Sequence, residues 1–109
     1  MLDFALDIVE ANIGIYIMGY LYVLKLNNGS YYIGSCRDIT KRLLNHKHKQ
    51  VFSTKHKLPF VVMYVKIFTT YSEARKEELR TKRWKKRKSI ENLCKFDKTN
   101  VANSFAAIV

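Results

Sequence analysis

Two tyrosine-bearing apolar runs, Tyr20-Leu21-Tyr22-Val23-Leu24-Lys25-Leu26 and Tyr31-Tyr32-Ile33-Gly34, flank Asn27-Asn28-Gly29-Ser30. An Asn-Gly pair reaches positive φ at low cost, and between two such runs it is a strong hairpin signal. Pairing the runs as a hairpin fixes their register, and with it which side chains share a face, because strand side chains alternate. Gly34 ends the second run at a point where the backbone can turn sharply or let another group approach closely.

The downstream pattern supplies what must cover that hairpin. Asp38 suits the N-cap of a helix through about Lys47, with Ile39 and Leu43 on its core side. Arg42 and His46, four apart, share a face beside that apolar stripe. Lys47–Lys57 is polar, basic and irregular, and Pro59 punctuates it. Phe60–Thr69 is rich in β-branched and aromatic residues and reads as a third strand. Both faces of that strand are largely apolar, so helices are expected on both sides. Thr70-Tyr71-Ser72-Glu73 fits a capping box that opens a long helix, predicted to run to about Ile90 with Ala74, Leu79 or Glu78, and Trp84 turned inward. Cys94–Val109 fits either a short docked helix or a disordered tail. The expected fold is α+β: a three-stranded antiparallel sheet flanked by helices, in a single domain.

Charge narrows the class of partner. The 109 residues hold 20 Lys and Arg against nine Asp and Glu, a net +11, and 48% of the residues are apolar. That composition suits one globular domain that binds a polyanion. Residues 1–17 carry three acids and no base, which divides the chain into an N-terminal extension (1–17), a domain (18–93) and a tail (94–109). Cys36 and Cys94 form no C-x-x-C unit, and with three scattered histidines they make no zinc pattern. Reduced thiols are the reading, as in a cytoplasmic protein. Ile13–Leu24 is uncharged but too short to span a bilayer, and the acids before it do not suit a signal peptide. No membrane partner is expected.

The order of these elements resembles the GIY-YIG endonuclease family. The likeness runs from about Gly19 to Asn92, through "YLYVLKLNNGSYYIGSCRDITKRLLNH" and "YSEARKEELRTKRWKKRK". It is similar to small single-domain members and to the N-terminal nuclease domain of an excision-repair enzyme. Gly14-Ile15-Tyr16 spells the family's first motif literally, but it stands 16 residues before Tyr32; Tyr22 stands ten before it, with the turn between. Tyr22 therefore takes the motif's place. The resemblance implies a site of Tyr22, Tyr32, Arg42, His46 and Glu78, with Tyr22 as general base and His46 assisting it. Gly34 and Trp84 are the structural members of the pattern. Ser35 follows the glycine where some members carry Lys, and Asn92 is the nearest match to a late Asn that completes the site in others.

Phosphodiester hydrolysis needs an activated water, neutralisation of charge at phosphorus, and help for the leaving oxygen. Glu78 can offer a hard oxygen to Mg²⁺ (or Mn²⁺), which usually takes only one or two carboxylates. Arg42 can clamp the scissile phosphate in bidentate fashion. Tyr22 or Tyr32 can take the water's proton only if nearby cations lower a phenol pKa that is ordinarily about 10. Arg80, Lys82, Arg83, Lys85 and Lys86 on the basic helix, with Lys41, make a track for the phosphates of DNA. With almost nothing appended to read sequence, three expectations stand open: cutting of DNA with little sequence preference, recognition of nucleic-acid shape such as branched or damaged DNA, or dependence on a protein partner for specificity. Oligomeric state is left open. The competing reading is a non-catalytic nucleic-acid-binding module that keeps the fold.

Overall fold

The computed structural model describes residues 18–84 and 86–108. The expected extension (1–17), Tyr16 and Lys85 lie outside the described residues. Strand β1 (Gly19–Lys25) is central in a sheet of order β2-β1-β3, flanked by β2 (Tyr31–Cys36) and β3 (Val61–Phe68), both antiparallel to it. The turn between β1 and β2 closes with Gly29 N–H donating to the Leu26 carbonyl at 2.8 Å, and Gly29 takes φ 85°. A side chain there would strain the backbone. The register sets Tyr22 opposite Gly34 and Leu24 opposite Tyr32. Both phenols therefore stand on one face of the sheet.

Helix α1 (Ile39–Lys47) starts at Asp38, whose carboxylate accepts from Lys41 N–H at 3.0 Å. Its buried residues Ile39, Leu43 and His46 form one stripe, which packs on Tyr22, Leu24, Val62 and Val65. Val62 and Val65 reach the same face despite their odd spacing because the β1–β3 register slips between Val23 and Leu24. The other face, Leu21, Val23 and Tyr64, meets Ile90 and Leu93 of α3 (Arg87–Phe96) together with Trp84. Helix α2 (Tyr71–Lys82) opens with the expected capping box, Thr70 and Glu73 bonding reciprocally.

The long helix predicted to reach Ile90 is instead two helices, broken after Lys82. The apolar residues explain the break. At about 100° per residue, Ile90 would stand about 180° from Thr81 on a continuous helix. Thr81 and Ile90 are both buried, and only a turn between them brings both inward. Arg87 then ties α3 to the hairpin: its guanidinium donates to the Gly29 carbonyl at 2.7 Å and lies over Tyr31.

The tail docks. Val65 N–H donates to Asn100 Oδ1 at 3.0 Å, Val101 N–H donates to the Val65 carbonyl at 2.8 Å, and a 3₁₀ helix (Ala102–Ile108) follows. This cap covers backbone groups of edge strand β3 that would otherwise stay unpaired. Ala102 is buried in the core, and Phe105 packs against Tyr20. No helix among the described residues is long and apolar enough to cross a membrane.

Candidate active site

Tyr22 sits at the middle of the central strand and is fully buried. Its ring lies across Gly34: a Cβ added to Gly34 would stand 2.5 Å from the Tyr22 hydroxyl. The glycine after Tyr-Ile is thus a space requirement, since any side chain there would displace the phenol. Tyr22 Oη is 3.0 Å from His46 Nε2, and His46 Nδ1 is 2.8 Å from Thr54 Oγ1. Thr54 in turn donates to the Val51 carbonyl at 3.5 Å. One assignment satisfies all three contacts: Thr54 spends its proton on Val51, His46 Nδ1–H donates to Thr54, and Tyr22 O–H donates to Nε2. Burial, with the Arg42 charge adding to it, pushes the His46 pKa down to about 4, so the imidazole is neutral at physiological pH.

Tyr32, half-buried, packs its ring 5.0 Å from His46 and 6.2 Å from Tyr22. The Tyr22 pKa is raised, first by burial and then by Tyr32; Arg42 opposes the rise without overcoming it. The expectation that nearby cations lower the phenol is therefore not met by the protein's own charges. Arg42 influences Tyr22, Cys36 and His46 alike. Among the described residues no acid lies within ion-pair distance of it.

Glu78 comes from α2 and is 5% exposed. Ser35 Oγ, on the residue after Gly34, donates to its Oε1; Arg75 donates to the same oxygen at 2.8 Å, and Lys82 donates to Oε2 at 2.6 Å. Burial alone would push this carboxyl's pKa up, but the bonds from Lys82, Ser35 and Arg75 outweigh it and hold the pKa below the usual value. Glu78 also contributes to the rise in Tyr22. The phenol and the carboxylate thus meet neighbouring residues of the same edge strand.

A divalent cation can be tested against this donor set. Among the described residues there is no group of three or more His, Cys, Asp or Glu able to hold a metal. A carboxylate has about four lone-pair positions; here three are taken, leaving one on Oε2. A single hard oxygen suits Mg²⁺ or Mn²⁺ whose other ligands are water and substrate phosphate.

The remaining expected residues scatter. Lys82 joins the Glu78 cluster rather than a free track. Arg80 is paired with Glu77 at 2.8 Å and lies over the Trp84 ring. Lys41, Arg83 and Lys86 are exposed. The break after α2 divides the basic run expected to form one helix face. Asn92 is exposed on α3 beside Trp84, Ser89, Leu93 and Phe96, and no described hydrogen bond joins it to the site. Thr54 and Arg75 were missed. Thr54 sits in a stretch with no periodicity to mark it, whereas the three-residue spacing of Arg75 and Glu78 is a signal that could have found Arg75.

Two sheet-borne phenols, a buried helical histidine and a carboxylate on the next helix gather around β2, with the Arg42 charge acting on the phenol and the imidazole. The chain belongs to the GIY-YIG family, whose catalytic-domain model matches residues 13–92. Members of that family are generally nucleases, so the class of substrate is nucleic acid. Within it the chain is similar to the UPF0213 proteins. One of Staphylococcus saprophyticus is 36% identical over 72 residues, spanning 65% of this chain and 88% of that protein. One of Streptococcus pneumoniae is 34% identical over 87 residues, spanning 79% and 88%. The solution NMR structure of a UPF0213 protein from Bacillus halodurans superposes with a TM-score of 0.51 at 26% identity, covering 81% of this chain and 94% of that one.

Proposed function

We propose that this protein is a metal-dependent endonuclease that hydrolyses phosphodiester bonds in DNA, using Tyr22, Tyr32, Arg42, His46 and Glu78. The observation that carries the reading is the contact of a neutral phenol–imidazole pair and a buried carboxylate with adjacent residues of β2. With its pKa raised, Tyr22 acts as a neutral phenol rather than a phenolate. Its oxygen accepts the attacking water's proton while its own proton passes to His46 Nε2. Thr54 keeps that nitrogen free to accept. Tyr22 is fully buried, so in this reading water enters past the half-buried Tyr32, whose hydroxyl holds it. Arg42 binds the non-bridging oxygens of the scissile phosphate. Glu78 would hold Mg²⁺ or Mn²⁺, which supplies charge neutralisation at the phosphate when bound.

One observation favours the second reading, a non-catalytic nucleic-acid-binding module: Arg75 and Lys82 already neutralise Glu78, as a purely structural ion cluster would. Incubation with end-labelled duplex, single-stranded, flap and branched DNA in Mg²⁺, Mn²⁺ or EDTA separates the two. The nuclease reading expects cut products that need the cation. Binding with no cleavage of any substrate supports the module.

A further inference from the structure

Between Ile39 and Ser72 the chain carries seven lysines and arginines and no aspartate or glutamate. The centre of this stretch is the segment 48–60 between α1 and β3, which lacks regular secondary structure. It is fastened at two points. Thr54, fully buried, accepts from His46 of the proton relay. The Lys57 carbonyl accepts from Asn27 N–H at 2.8 Å, which sets the segment against the hairpin turn. Two residues before the Thr54 anchor, Phe52 is 83% exposed, the most exposed large apolar side chain among the described residues. The Lys55 ammonium stands 5.1 Å from its ring centre. Farther along, Leu58, Pro59 and Phe60 line a cavity of about 300 Å³ with Lys47 at its edge. The Phe60 ring packs 6.0 Å from that of His46.

A phenyl held in water beside an ammonium, on a segment tied to the relay, does nothing for the core. We infer that residues 48–60 form a binding surface for unpaired nucleotides beside the scissile bond, with Phe52 as a stacking platform and Lys55 and its basic neighbours as backbone contacts. The inference rests on the nucleic-acid reading above and names a substrate class for it: DNA with a single-stranded segment at the cut. Charge complementarity selects a polyanion, and the phenyl selects among polyanions. A paired base has its faces covered by its neighbours in the stack, whereas an unpaired base offers a π face to Phe52. An acidic peptide would match the charge and leave the phenyl unused.

Fluorescence anisotropy in EDTA, with a labelled single-stranded oligonucleotide and the blunt duplex of the same sequence, tests this without cleavage entering. Phe52→Ala and Phe52→Leu are expected to weaken single-strand binding about tenfold, because each loses the aromatic face on which a base stacks. Duplex binding should stay within about twofold of wild type, and Phe52→Trp should bind the single strand at least as tightly as wild type. Wild-type single-strand affinity in Phe52→Ala or Phe52→Leu would overturn the inference, as would an equal loss on both substrates. The outcome is separable from the nuclease reading. If wild type cuts nothing yet the Phe52 variants lose single-strand affinity, the enzyme proposal falls and the binding surface stands. If wild type cuts and the variants bind unchanged, the reverse holds.

Discussion

The two halves of the site handle charge in opposite ways. Around Tyr22, His46 and Thr54 the groups are neutral, buried and linked end to end, and burial moves both titrating pKa values toward the uncharged form. Around Glu78 the groups are charged, and a nearly buried carboxylate is kept ionised by two partly exposed cations and a hydroxyl. Burial penalises a charge unless partners repay it. The first half has no such partners and stays neutral; the second has three and stays charged. In the proposed hydrolysis that difference would divide the labour: a dry neutral chain would move a proton, and a braced anion would meet cations.

That division can be broken at several points. Tyr22→Phe removes only a hydroxyl from the neutral half. Cleavage should fall by about 10³-fold with DNA affinity nearly unchanged, the scale of a lost proton-transfer group; a single-turnover rate close to wild type would assign the proton elsewhere. Acid should attack the same half first. The folded His46 pKa of about 4 lies below its ordinary 6.5. The fold therefore favours neutral imidazole, and its contribution is complete above about pH 6.5. Roughly 3 kcal/mol of it is lost as pH falls through that interval. Urea unfolding from pH 7 to 4 should show that slope in wild type and a much flatter one in His46→Gln; equal slopes would remove His46 from the account. Gly34→Ala is the smallest of these changes. Its methyl would collide with the Tyr22 ring, for an expected loss of about 1–3 kcal/mol in stability, together with the Tyr22–His46 bond. A variant as stable and active as wild type would mean the phenol moves without cost.

Much of the frame could be read from the sequence, because local chemistry set it. Asn28-Gly29 gave the hairpin, Asp38 and Thr70 gave helix starts, and side-chain alternation put Tyr22 and Tyr32 on one face. What escaped depends on tertiary geometry. Nine basic residues between Arg75 and Lys88 read as one helix because strong helix formers hide the angular conflict between Thr81 and Ile90. The bulge between β1 and β3 leaves no mark in a strand of apolar residues on both faces. Spacing preferred Tyr22 to Tyr16 as the partner of Tyr32 and put His46 beside the apolar stripe of α1, while their place in a site came from the resemblance. Thr54 was not legible, since a hydroxyl in an irregular basic segment looks solvated until His46 is seen beneath it. The raised Tyr22 pKa was also hidden, because burial outweighs the visible charge of Arg42.

Hydrolysis as proposed requires the charged half to be chemically necessary rather than merely cohesive. The direct measurement is the single-turnover cleavage rate of a labelled branched DNA by wild type and Glu78→Gln in Mg²⁺, with affinity measured alongside. Removing the anion while keeping the side chain's size should slow cleavage by at least about 10³-fold and leave affinity within about twofold. A Glu78→Gln protein that cuts at the wild-type rate would contradict the account.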